Sequence, residues 1–222
     1  MPDDRDADLF EASLMLLAGT TRLHYDANAG RGKDAWAVVG ASADSRLQVE
    51  FETEPAAARF TDVMRAVPEA TCRTGRRVAG IRRRYETFVV DVGGAEPSIV
   101  VGRLRGEWIR NAGLLLGNGA ADEPALRTRA AAVWRSALLT AAPKVSAAGL
   151  RLCARDWSTV RLLVRAAQVL GVACQARTAR GFQGVHVEGR GVITLLATVR
   201  SLPGPVGGPR ARRASLQPSG HA

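Results

Sequence analysis

Five apolar positions of this chain recur at one constant offset: Leu47, Val49, Ala57, Phe60 and Val67 are matched by Leu150, Leu152, Val160, Leu163 and Leu170. Thr53 and Asp156, both of residue types that cap helix N-termini, stand at the matching places before the two helical stripes. The shared order of strand, cap, helix and strand carries more weight than apolar coincidences alone, because amphipathic patterns often coincide by chance. A repeat this long implies two similar halves about a pseudo-twofold axis, whereas solenoids are built from much shorter units.

In the first half, Phe10, Leu14, Leu17 and Thr21 recur at helical spacing and predict a helix over 9–23. Residues 35–41 and 47–53 read as a hairpin, in whose second strand Leu47, Val49 and Phe51 alternate with Gln48, Glu50 and Glu52. Glu54 and Pro55 open the next helix, its stripe runs Ala57, Phe60, Met64, Val67, and Pro68 stops it. Strands over 70–74 and 85–92 and a short helix over 98–104 follow. Gly106, Gly113, Gly117 and Gly119 leave 105–125 without a clear period, so it reads as a connection. The second half runs helix 126–139, strand 150–154, a helix after Asp156, strands 173–177 and 184–187, and helix 192–199. The expected organisation is a first half over 1–104, a linker over 105–125, a second half over 126–202, and a disordered basic tail over 203–222.

With 29 arginines, two lysines and a formal charge of +10, the chain is electrostatically suited to a polyanion. Coding bias is a competing source of an Ala- and Arg-rich composition, so distribution matters more than total. Between Glu69 and Glu86 lie six arginines and no acid, and beyond Glu188 there is again no acid. Four aspartates among the first eight residues are the opposite of a basic export signal, and no apolar run is long enough to cross a membrane. Cys72, Cys153 and Cys174 are widely spaced and lack a CxxC, which argues against a disulfide framework and a zinc site. The expected location is cytoplasmic, at the nucleoid if DNA is the partner.

The order αββαββα of the first half, much of it repeated in the second, resembles the LAGLIDADG homing-endonuclease fold, and Leu17-Ala18-Gly19 lies in the first helix. A more specific resemblance is to the WhiA family of sporulation and cell-division transcription regulators. Residues Ala132-Val133-Trp134-Arg135-Ser136-Ala137-Leu138-Leu139 are similar to the family's AAWRGAFL stretch. Val164-Arg165-Ala166-Ala167-Gln168-Val169-Leu170-Gly171-Val172 and Ala176-Arg177-Thr178-Ala179-Arg180-Gly181 are similar to its AARRLGI and AREVRG stretches. The resemblance covers residues 8–202 and is specific in the second half. It implies a duplicated α+β fold with each half's first helix, Gly19 included, packed at the axis. Two departures stand out. The family continues into a helix-turn-helix, whereas this chain ends in a Pro/Gly/Arg tail, and Ala142-Pro143 replaces a Gly-Ser pair after the second axial helix.

Homing nucleases carry an acidic residue at the end of each axial helix to hold a divalent metal. Here 17–22 and 138–144 contain none, so no nuclease activity, catalytic residue, metal or cofactor is expected. Asp26 reads as a turn former, and Gly30-Arg31-Gly32-Lys33-Asp34 lacks the Ser or Thr of a phosphate loop. Cys174 and His186 fall on neighbouring strands without a third group to orient the histidine. Trp36, Trp108, Trp134 and Trp157 are too scattered for a stacking platform. Arg161 and Arg165 read as the wet side of a helix. The DNA-binding candidates are Arg73, Arg76, Arg77, Arg82, Arg83 and Arg84. The expected function is a WhiA-like regulatory module with weak, largely non-specific DNA affinity and a protein partner, without membrane or small-molecule substrate. The alternatives are a scaffold domain without DNA contact and a homing-type endonuclease.

Overall fold

The computed structural model describes residues 4–18, 20–24, 46–79, 85–117, 122–179 and 182–201. The first half consists of α1 (Asp4–Ala18), β1 (Thr20–His24), β2 (Arg46–Phe51), α2 (Glu54–Met64), β3 (Thr71–Ala79), β4 (Tyr85–Gly93) and α3 (Pro97–Leu116). The second consists of α4 (Glu123–Thr140), β5 (Lys144–Ser146), β6 (Gly149–Cys153), α5 (Trp157–Val169), β7 (Cys174–Ala179), β8 (Phe182–Glu188) and α6 (Gly189–Ser201). Each half therefore runs αββαββα. The two antiparallel sheets have the matching orders β1-β2-β4-β3 and β5-β6-β8-β7.

Equivalent residues start equivalent helices. The Thr53 side chain accepts a hydrogen bond from the Ala56 amide at 3.4 Å at the start of α2, and Asp156 accepts one from the Thr159 amide at 2.8 Å at the start of α5. Register is equivalent too, with Leu47 opposite Val92 in one sheet and Leu150 opposite Val187 in the other. Because side chains alternate along a strand, Leu47, Val49, Phe51, Val90 and Val92 all turn to one face. There they join Phe60, Val63 and Met64 of α2 in the first core. Leu150, Leu152, Val185 and Val187 do the same with Val160, Leu163 and Ala167 of α5 in the second.

The two cores meet across α1 and α4, which pack against each other. The contact is reciprocal: Phe10 of α1 is buried in the second core, while Leu139 of α4 packs against the first. Ala12 and Ser13 of α1, and Ala130, Ala131, Ala132 and Ser136 of α4, are all buried, and small side chains of this kind permit close helix approach. Both serines bond within their own helix, Ser13 to the Phe10 carbonyl at 2.6 Å and Ser136 to that of Val133 at 2.9 Å, so neither leaves an unpaired buried hydroxyl. Gly19, expected at the axis, lies outside the described residues.

Several boundaries differ from the sequence expectation. The first helix ends at Ala18 instead of running to residue 23, and Thr20–His24 pairs with β2 as the partner expected from residues 35–41, which lie outside the described residues. Thr20 and Thr21 are β-branched, a composition that favours a strand over the predicted helical stripe. The third helix continues to Leu116, through half of the expected 105–125 linker. Val100, Val101, Leu104, Ala112 and Leu115 form its buried stripe, and Gly106 and Gly113 sit on the exposed side. Strand β3 runs on through Arg76 and Arg77 to Ala79, and the short edge strand β5 was not expected.

Candidate nucleic-acid interface

Three of the candidate arginines lie on β3, the edge strand of the first sheet. Arg73 lies opposite Asp91 and Arg77 opposite Thr87 on the outer, helix-free face, whereas Arg76 falls on the helix-side face. Arg76 lies over the Phe88 ring, 5.6 Å from its centroid, with Glu86 at 3.7 Å. Arg77 Nη2 donates to Gln48 Oε1 at 3.1 Å, and Gln48 Nε2 donates to Asp91 Oδ1 at 2.7 Å. Gln48, Glu50, Thr87 and Val89 on the outer face are buried. The arginine-rich stretch is therefore split between two faces and shares its surroundings with Glu50, Glu86 and Asp91. Arg82, Arg83 and Arg84 lie outside the described residues.

The outer face of the second sheet differs. Lys144, Arg151 and Cys153, together with Gln175 and Arg177, alternate away from the core side chains and are exposed. One register row, Lys144–Arg151–His186–Gln175, crosses all four strands. Gly149, which starts β6, has φ +133°, and a Cβ there would meet the Val187 carbonyl oxygen at 2.1 Å, so only glycine serves. Sequence reasoning missed this surface because its cations are spread over three strands. Strand alternation about Leu150 and Leu152 was the available signal.

At the helix ends between the sheets, the two halves cap one another. Arg155, in the β6–α5 loop, donates through Nη1 to the Leu17 carbonyl at 3.1 Å and through Nη2 to that of Ala18 at 2.8 Å. Its counterpart loop places the Thr53 hydroxyl 3.4 Å from the Leu139 carbonyl at the end of α4. The last carbonyls of a helix carry partial negative charge, so a guanidinium there is favourable and a second cation is disfavoured. Gln183 Nε2 donates to the Arg155 carbonyl at 2.8 Å and steadies the loop. Among the described residues no group of three or more His, Cys, Asp or Glu side chains could hold a metal ion. Asp26 and Gly30–Asp34 lie outside the described residues.

Other arginines serve the same end-capping purpose. Arg165 donates to the Leu115 carbonyl at 3.0 Å at the end of α3, which corrects its expected place on a wet helix side. Arg5 reaches the Ala66 carbonyl at 3.1 Å, and Arg135 reaches that of Val199 near the end of α6 at 3.3 Å. Arg135 also lies 3.0 Å from Glu11. Glu11 is fully buried and receives Arg59 on both carboxylate oxygens, at 2.6 and 2.7 Å. This carboxylate joins α1, α2 and α4. Burial alone would lower the Arg59 pKa, but the Glu11 hydrogen bond and charge, with Asp8 and Asp62, outweigh it and raise the pKa above its ordinary value. A good share of the basic residues is thus committed to internal acceptors.

Cys174 and His186 do not face each other: Cys174 is opposite Val187 on the core side, and His186 belongs to the outer face. Burial pushes the Cys72 thiol up to about 11 and the Cys174 thiol up to about 12, which keeps both protonated and unreactive near neutrality. Trp134 is fully buried and Trp108 half-buried, while Trp157 is exposed.

The two αββαββα halves, with their first helices paired and each sheet presenting one face away from the helices, define a LAGLIDADG-type fold. Among solved structures, I-DmoI in complex with DNA and manganese aligns over 88% of this chain and 98% of its own, with a TM-score of 0.52 and 14% identity. The N-terminal LAGLIDADG domain of DUF199/WhiA aligns over 91% of this chain and 85% of its own, with a TM-score of 0.50 and 9% identity. At these identities the likeness establishes the fold alone. No protein-family model matches the sequence, and no curated protein does.

Proposed function

We propose that this chain is a regulatory module of the WhiA kind. It acts in the transcriptional control of sporulation or cell division through a protein partner and a weak, largely sequence-independent hold on DNA, without cutting it. The observation that carries this reading is the pair of axial helix ends, where Arg155 and Thr53 contact the last carbonyls. A guanidinium at this place opposes the binding of a divalent cation, while leaving a positive site compatible with phosphate. The fold likeness to I-DmoI, solved in complex with DNA, and the exposed cations of the second sheet support the DNA-contacting part. No helix among the described residues is long and apolar enough to cross a membrane, and the proposed location is cytoplasmic.

Supercoiled plasmid incubated with purified protein and magnesium or manganese should remain supercoiled, while a labelled duplex should be retained at low salt and released as salt rises. Metal-dependent nicking that chelator abolishes would return the chain to the nucleases. A second reading, a scaffold without DNA contact, draws on the arginines held by carbonyls and carboxylates, and absence of duplex retention at low salt would favour it.

A further inference from the structure

We infer that the solvent-facing side of α3 is the docking surface for the protein partner, and that its occupant is an amphipathic helix with acidic residues flanking its apolar stripe. The inference rests on the protein-partner part of the reading above and names that partner's chemistry. Residues Ile99, Gly102, Gly106, Ile109, Gly113 and Leu116 follow one another at alternating steps of three and four, the spacing that lines one side of a helix against another helix. All six are exposed, and Ile99, Ile109 and Leu116 are 64%, 56% and 40% open to solvent. On the other side of the same helix, Val100, Val101 and Leu104 join the first core, and Ala112 and Leu115 the second. The helix is thus apolar on two sides, and over about 25 Å the outer one has no covering element among the described residues.

Glycine is a poor helix former, yet three stand inside α3 on this one side. None of them has a positive φ, and a Cβ at Gly102, Gly106 or Gly113 would meet nothing within 4 Å. Neither backbone conformation nor internal packing therefore requires them. Each instead leaves a hollow between exposed apolar side chains, where a second helix can approach closely and seat large side chains of its own. Charge selects that helix. Arg105 borders the stripe on one side, Arg103 and Arg110 on the other. Arg110 is held by Asp6 and Glu107, whereas Arg103 and Arg105 are exposed and in no ion pair among the described residues. A second copy would set arginine against arginine in either direction of pairing, and residues 203–222 bring three further arginines and no acid. A helix with leucine-like side chains in its stripe and Asp or Glu beside it matches both the hollows and the charges.

The test uses the full chain and a fluorescent three-heptad peptide with Leu at the a and d positions and Glu at e and g, followed by anisotropy. A peptide with Lys at e and g is the control. Wild type should bind the Glu peptide and not the Lys peptide. Arg103→Glu with Arg105→Glu should weaken the Glu peptide roughly tenfold and admit the Lys peptide. Gly102→Gln with Gly106→Gln should fill the hollows and weaken the Glu peptide by at least about tenfold. The same variant should unfold about 2–5 °C higher than wild type, because glutamine is the better helix former and its Cβ meets open space. A purely structural role for these glycines would lower that midpoint instead. Wild type that binds neither peptide or both equally, or an unchanged affinity in the Gln variant, overturns the inference. A wild-type dimer that the Gln variant dissociates gives the face to a second copy, and loss of duplex retention in that variant gives it to nucleic acid; either result overturns the inference too. Absence of duplex retention by wild type strikes only the DNA part of the functional reading, since peptide binding is read without DNA.

Discussion

Arg155 of the second half donates a hydrogen bond to the carbonyl oxygen of Ala18, at the end of the first half's axial helix, over 2.8 Å. With the companion bond to Leu17, this guanidinium satisfies two carbonyls that the helix leaves without partners. Replacing Arg155 by Ala should destabilise the protein by about 1 kcal/mol, a charge-assisted bond pair discounted for exposure. Arg155→Lys should recover part of that loss. Urea midpoints at matched slopes measure both.

Glu11 gives a larger and differently ordered effect. It is the shared acceptor of Arg59 and Arg135, so Glu11→Ala should cost roughly 3–5 kcal/mol by leaving two poorly solvated guanidinium groups without their carboxylate. Arg59→Met should cost less, because Arg135 still neutralises Glu11. Equal losses in the two variants, read from chemical denaturation, would contradict the three-way arrangement.

Ala142 follows α4 with φ +44°, a conformation that strains an L-residue and suits glycine. Ala142→Gly should therefore raise stability slightly, by about 0.5 kcal/mol once the flexibility of glycine in the unfolded chain is counted. Gly149→Ala should do the reverse and cost well over ~1 kcal/mol, because the new methyl would collide with the Val187 carbonyl oxygen. Thermal unfolding of the two variants gives the signs directly.

Alkaline stability follows from the buried thiols. Folding raises the thiol pKa from the ordinary 9.0 to about 11 at Cys72 and about 12 at Cys174. A group raised in the folded state contributes fully below its unfolded pKa and loses that contribution as pH climbs through the folded value. Stability should accordingly fall as pH rises from 9.0 toward 11 and 12. A Cys72→Ala, Cys174→Ala protein should show a flatter Tm profile across that window. In native wild type, a thiol reagent should modify Cys153 first and reach the other two on unfolding.

Periodic features were legible before the structure. Leu47 and Leu150, Val49 and Leu152, and the caps Thr53 and Asp156 predicted the duplicated α+β order, because strand alternation and helix capping are local. The αββαββα resemblance then supplied the fold class. The end of α1 was misplaced because Thr21 extended an apolar stripe that the chain does not use as helix. Residues 105–116 were read as connection because Gly106 and Gly113 hid a helix whose buried side is Val100, Val101, Leu104, Ala112 and Leu115. Arg73, Arg76 and Arg77 looked like one patch in linear order, but alternation divides them between faces. Glu11 and Arg155 left no local trace, since their partners come from elements far away in the chain.

The reciprocal placement of Arg155 on α1 and Thr53 on α4 has a consequence for how the molecule opens. Each half holds shut the end of the other's central helix, so fraying at Ala18 requires the β6–α5 loop to let go, and fraying at Leu139 requires release of the β2–α2 loop. Amide exchange at one helix terminus thereby becomes a remote gauge of the opposite half's integrity. The repeats should behave as two hands clasped, melting as one cooperative body, and neither is equipped to stand as an independent monomer.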